Sequence, residues 1–230
     1  MISNVISRAA LCLLFVLSLA SCASVSVENG TERVTQKMPE MIYVMDFTTA
    51  QGNWQVDRKG GELADFKKNL QIMLKTAMAT DLTDRLIPAV PGTKEDWKRN
   101  GNAWVVRGEF VTVQQGSRLL RSAVGFGAGQ TRVETRVQVY DLAQNPVTPF
   151  LTFSTTGGSG SEPGAILAFS TDPLELAIGG VSGAAHGLSE DTKRTAREIT
   201  AEFSDYMYQR GWITEDKLIK PKRPSAGDMW

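Results

Sequence analysis

TRVETRVQVYDL, residues 131–142, alternates with period two: Val133, Thr135, Val137 and Val139 share one phase, and Arg132, Glu134, Arg136 and Gln138 share the other. Successive side chains of a strand point to opposite faces, so this stretch is a strand with one buried and one solvated side. A sheet wetted on one face is an antiparallel habit. Working outward, residues 104–113 (WVVRGEFVTV) read as the preceding strand and Asn145-Pro146 as a turn. Residues 147–155 read as the returning strand, adjacent in space. Residues 41–48 (MIYVMDFT) form a continuous apolar run of strand length, predicted to be a buried, central strand. Residues 51–61 read as a loop.

Two segments change period. In residues 62–86 apolar side chains recur at Leu63, Phe66, Leu70, Met73, Leu74, Ala77, Met78, Leu82 and Leu86, and Pro88 follows. That is an amphipathic helix with a stop signal. Residues 189–210 read as a second helix. Ser189 is its expected cap, Glu190 and Asp191 suit the N-terminal dipole, and Ala196, Ile199, Phe203, Tyr206 and Met207 form its stripe. Gly211 suits a left-handed C-terminal position, with Trp212 packing back. Strand, helix, strands, helix predicts an α+β fold: one domain, residues 41–213, whose mainly antiparallel or mixed sheet is packed by two long helices in a two- or three-layer sandwich.

The N-terminus predicts export. Residues 9–20 (AALCLLFVLSLA) are almost wholly apolar and follow Arg8, the pattern of a secretory signal too short to span a bilayer. Leu19-Ala20-Ser21-Cys22 resembles a bacterial lipobox, which places a signal peptide at residues 1–21 and a lipid anchor on Cys22. Cys12 lies inside the signal, so the mature chain has no disulfide and must rest on its hydrophobic core. With 42% hydrophobic residues in 230 it has the material for one. Residues 22–40 are polar and read as a lipidated tether, and residues 214–230 as a loose basic tail. Ala23, with no Asp after the cysteine, favours the inner leaflet of the outer membrane. The formal net charge is zero, which gives no bulk attraction to nucleic acid.

Two glycine-rich segments stand apart. Residues 116–130 contain Gly125, Gly127 and Gly129, but a dinucleotide fingerprint needs its third glycine two positions later and a helix after it. Here Gln130 and a strand follow, so a bend or close backbone approach is the better reading. Arg118 and Arg121 could contact a phosphate or a partner's carboxylate; solvated loop arginines are the plainer reading. In residues 157–187, Gly179, Gly183 and Gly187 fall four apart, a spacing that lets two helix backbones approach closely. Packing on its own domain is the leading expectation, with self-assembly or membrane contact as alternatives. Pro173, Asp172 and Glu175 argue against a spanning helix.

Catalytic chemistry is missing. His186 is the sole histidine and the mature chain has no free thiol, so a His/Cys metal site is excluded; a carboxylate-only site has no spacing signature, and no cofactor is expected. Ser182 lies four residues before it on a helical pattern, whereas a nucleophile elbow needs a strand before the serine. A non-enzymatic chain is expected.

Residues 105–142, with Gly-Ser-Arg at 116–118, Val-Gly-Phe-Gly-Ala-Gly at 124–129 and the strand ending in Asp141, resemble bacterial lipoproteins carrying "domain of unknown function 4410". The opening IYVMDF and the helix after it fit too. More loosely, that strand is similar to the envelope domains CsgG, LpoB and the TolB N-terminal domain. The resemblance implies an α/β sandwich used for protein contacts in the envelope, and it carries over no functional residue. A lipid-anchored module binding an envelope protein or itself is the expectation, with a secretion or pore subunit, or a small-molecule or nucleotide-binding domain, as alternatives.

Overall fold

The computed structural model describes residues 24–35, 37–99, 101–116, 131–159 and 183–223. Its elements in chain order are β1 (Ser24–Glu32), β2 (Met41–Val44), β3 (Asn53–Gln55), α1 (Gly60–Arg85), β4 (Ala89–Pro91), β5 (Ala103–Gln114), β6 (Thr131–Asp141), β7 (Leu151–Ser159) and α2 (Gly183–Gln209). The strands form one mixed, seven-stranded sheet in the order β1-β7-β6-β5-β2-β4. Neighbours from β1 to β5 are antiparallel, while β2 pairs with β5 and β4 in parallel. β3 pairs with the far half of β5, and the Thr48–Glu109 bridge lies between, so residues 41–55 follow one side of β5.

The alternation in β6 is realised: Val133, Thr135, Val137 and Val139 are fully buried, while Arg132 and Arg136 are exposed. Thr135 is tolerated inside because its hydroxyl meets that of Thr155 on β7 at 2.8 Å. The buried phases of β2, β5, β6 and β7 join both helices in one core. Ile42, Val44, Trp104, Val106, Val137 and Phe153 meet Phe66, Leu70 and Leu74 of α1 and Ile199, Phe203 and Met207 of α2. Trp104 is its aromatic centre, with the rings of Phe150, Phe203, Tyr206 and Trp212 within 6.1 Å. At the end of α2 the Gly211 amide donates to the Tyr208 carbonyl and the Trp212 amide to that of Met207, with Gly211 at φ +70°. This is the expected left-handed stop.

Several boundaries differ from the sequence reading. The loop expected at residues 51–61 contains β3, held by its ladder and by Trp54 packed edge-on against Phe66. The returning strand starts at Leu151 because the Asn145 side chain accepts the amides of Val147 and Thr148 and turns the chain first. α2 begins six residues before Ser189, which is therefore internal rather than a cap. The preceding GAAHGL contains no proline, and Ala184 and Ala185, with the strongest helix propensity, offset its two glycines.

Both ends of the domain also extend further than expected. Within the supposed tether, Ser24–Glu32 is an edge strand on β7, with Val27 fully buried. Its SVSV start carried a period-two signal hidden by small polar partners. The supposed loose tail is a strap on α2 as far as Arg223. Ser204 Oγ donates to the Lys217 carbonyl and accepts the Ile219 amide, Glu198 accepts the Lys222 amide, and Arg223 pairs with Glu202 and Asp205. The Lys222 carbonyl accepts the Val27 amide at 2.7 Å, so strap and edge strand hold each other.

Candidate functional site

The strand phase turned away from the two helices carries a second, smaller apolar group. Ala103, Val105, Tyr140 and Leu142 are buried there, and Met41, Tyr43, Met45 and Trp97 pack against them. Trp97 sits in a 3-10 turn, Asp96–Lys98, laid over the sheet after β4. Asp96 fixes that turn: its carboxylate accepts the Thr93 amide and hydroxyl at 2.9 and 2.8 Å and meets Arg99 at 3.1 Å. The Thr93 hydroxyl, then its amide, hold the Asp96 carboxyl below the usual carboxylate range.

Beside Trp97 the surface opens into a cavity of about 410 Å³ lined by Met45, Asp46, Thr48, Lys94, Trp97, Lys98, Arg107 and Gly108. Its chemistry is aromatic and cationic. The Arg107 guanidinium stands 5.8 Å from the rings of both Trp97 and Tyr140, which lie 4.8 Å apart, and Arg99 lies 6.0 Å from Tyr43. Cations over aromatic faces are held without losing their charge. Asp46 is the one carboxylate in the lining, and Lys75 of α1 already binds it at 2.6 Å. Among the described residues Lys94, Lys98 and Arg107 have no carboxylate partner, so the opening presents net positive charge. Gly108 in the lining admits no larger residue, because a Cβ there would collide with the Arg136 carbonyl and the Phe47 ring.

The candidates from sequence lie elsewhere. Cys22, Arg118, Arg121, Gly125, Gly127, Gly129 and Gly179 fall outside the described residues, as does Ser182. Gly183 and Gly187 lie in the first turns of α2, as does His186. Sequence reasoning missed Trp97, Arg107 and Tyr140. Two signals pointed to this face, though not to Arg107 or Trp97 themselves: MIYVM is apolar on both phases of β2, and Tyr140 is the one aromatic on the charged phase of β6. Both mean that the second sheet face is covered at one end. Among the described residues no group of acidic, His and Cys side chains could hold a metal ion, and no helix is long and apolar enough to cross a membrane.

Fold and site together define a single α+β domain with a mixed sheet, two long helices and a cationic, aromatic opening on the second sheet face. The chain belongs to the family described as Domain of unknown function (DUF4410), whose family model matches residues 42–171. That span runs from β2 to beyond β7 and includes every residue of the opening. No curated protein matches the chain. Among solved structures, the PelC dodecamer from Paraburkholderia phytofirmans is similar at 10% identity over 74% of this chain and 96% of that one, with a TM-score of 0.38. A substituted variant of the same dodecamer gives 10% identity, 74% and 98% coverage and a TM-score of 0.36.

Proposed function

We propose that this chain is a non-enzymatic lipoprotein of the bacterial envelope. In this reading it is acylated on Cys22, held at the inner leaflet of the outer membrane, and binds a protein partner through the opening beside Trp97. The observation that carries the binding role is the set of three cations, Lys94, Lys98 and Arg107, without carboxylate partners on an aromatic shelf. Such a surface fits an acidic or C-terminal carboxylate segment: aromatic faces supply contact area at low entropic cost, and arginine supplies a fixed two-pronged donor. The lipobox at residues 19–22 supports the anchoring part.

The test is affinity purification from detergent-solubilised envelope with the intact chain and with Lys98→Glu/Arg107→Glu. Both side chains are exposed, so the variant should melt like the parent. A partner that co-elutes with the parent should be lost from the variant and return when its own acidic segment is made basic. An identical set of co-eluting proteins with both chains overturns the assignment of this face. Labelling with a clickable fatty acid tests the anchor, and equal incorporation into Cys22→Ala overturns that part.

A further inference from the structure

The proposed lipid site and the first strand are almost contiguous. Ser24, two residues after Cys22, already pairs with Gly158 of β7. Two extended residues reach about 7 Å. A free tether over residues 23–40 would instead let the domain wander over roughly 20 Å or more. β1 is also well secured: Val27 is fully buried and bonded to the strap, and Arg210, just past the end of α2, holds Glu32 at 2.7 Å.

Which end of the domain this brings to the lipid follows from the register. Ser24 pairs with Gly158, Gly158 with Arg132, Arg132 with Gln114, and Gln114 with Gln55, a single row across the sheet. The opposite end carries Val44, Val106, Val139 and Leu151 and the turn at Asn145. From Thr131 to Asp141, β6 separates the two ends by about 33 Å. α2 runs the same course, since Asp191 accepts a bond from Thr131 at one end and Tyr206 bonds to residues 33 and 35 at the other. The helix from Gly183 to Asp191, about 12 Å long, lies beyond the Thr131 contact.

We infer that the end bearing Ser24, Gly158, Arg132, Gln114 and Gln55, with the start of α2, faces the bilayer surface that holds the Cys22 acyl chains. The domain sits on that leaflet in one orientation. This rests on the proposed acylation of Cys22. The seven-residue step from Arg107 to Gln114 then places the Trp97 opening about 23 Å from the lipid-facing row, turned toward the aqueous side.

Orientation can be read without disturbing the anchor, because the acylated mature chain has no other thiol. Single cysteines replace Arg132 at the near row and Gln144 at the far turn, both exposed, and each carries a fluorophore. The full-length acylated protein goes into phosphatidylethanolamine and phosphatidylglycerol vesicles bearing a nitroxide on the lipid headgroup. Arg132→Cys should be quenched several-fold more than Gln144→Cys. A Gly/Ser insertion between Ala23 and Ser24 should abolish the difference. Fatty-acid incorporation is measured on the same samples. No incorporation overturns the anchoring itself; incorporation with equal quenching at the two positions, or stronger quenching at Gln144→Cys, overturns the orientation alone.

Discussion

α1 and α2 have nearly the same length and share one core, yet they are built differently. α1 buries Phe66, Leu70, Met73, Leu74, Met78, Ala79 and Leu82, all apolar, and leaves its polar residues exposed or half-exposed. α2 buries its apolar stripe and also Asp191, Thr192, Thr195, Glu198, Thr200, Glu202 and Ser204. The threonines donate to carbonyls four residues back, at Leu188, Asp191 and Ala196. Asp191 accepts from Thr131, and the strap satisfies Glu198, Glu202 and Ser204. A helix covered on one side needs only an apolar stripe. A helix covered on two sides needs its second face matched donor by acceptor, because a buried polar group without a partner is costly.

The largest expected effects leave that contrast intact, because both helices meet at the core. Phe66→Ala on α1 and Phe203→Ala on α2 should each cost about 3–5 kcal/mol in urea melts. Phe203 is fully buried and Phe66 is 3% exposed. A loss below about 1 kcal/mol for either would mean that the helix is not seated on the sheet.

Outward-facing polar residues sharpen the comparison. Ser204→Ala removes both side-chain bonds to the strap and should cost about 1–2 kcal/mol. Thr76→Ala on the solvated face of α1 should stay within about 0.5 kcal/mol. Equal, negligible losses would show that the strap adds nothing to stability, and the contrast would then be one of burial alone.

The same contrast explains what could be read from sequence. The stripe of α1 was legible residue by residue because hydrophobicity alone specifies a helix covered on one side. The stripe of α2 was legible too, at Ala196, Ile199, Phe203, Tyr206 and Met207. Its second face was not, since Glu198, Glu202 and Ser204 look solvated until residues 217–223 are placed on them. β1 was misread for a related reason: its Val27 is secured by a carbonyl from the distant Lys222. At the candidate site, Arg107 gave no local signal because its surroundings come from Trp97 and Tyr140 on other segments. Pairing at long range is invisible to periodicity, which reports only how many faces of a segment are apolar.

The smallest expected effect is a pH response belonging to α2. Burial pushes the carboxyls of Glu198 and Glu202 above the ordinary glutamate value of 4.5, against the opposing pull of the Lys222 amide on Glu198 and of Arg223 on Glu202. An acid whose pKa is raised by folding binds protons more readily in the folded chain than in the unfolded one. Its stabilising contribution is therefore complete below about 4.5 and is lost as pH rises through the raised value. On this count the seating of the strap should improve as pH is lowered from neutral toward that window. Glu202→Gln removes the proton dependence while keeping shape and a bond acceptor for Arg223. Urea midpoints at neutral and mildly acid pH should thus differ less for Glu202→Gln than for the parent, while Thr76→Ala on α1 keeps the parent's difference. If Glu202→Gln retained the whole pH-dependent gain, Glu202 would not be its source, and its bond to Arg223 would enter the contrast between the helices as hydrogen bonding without a titrating component.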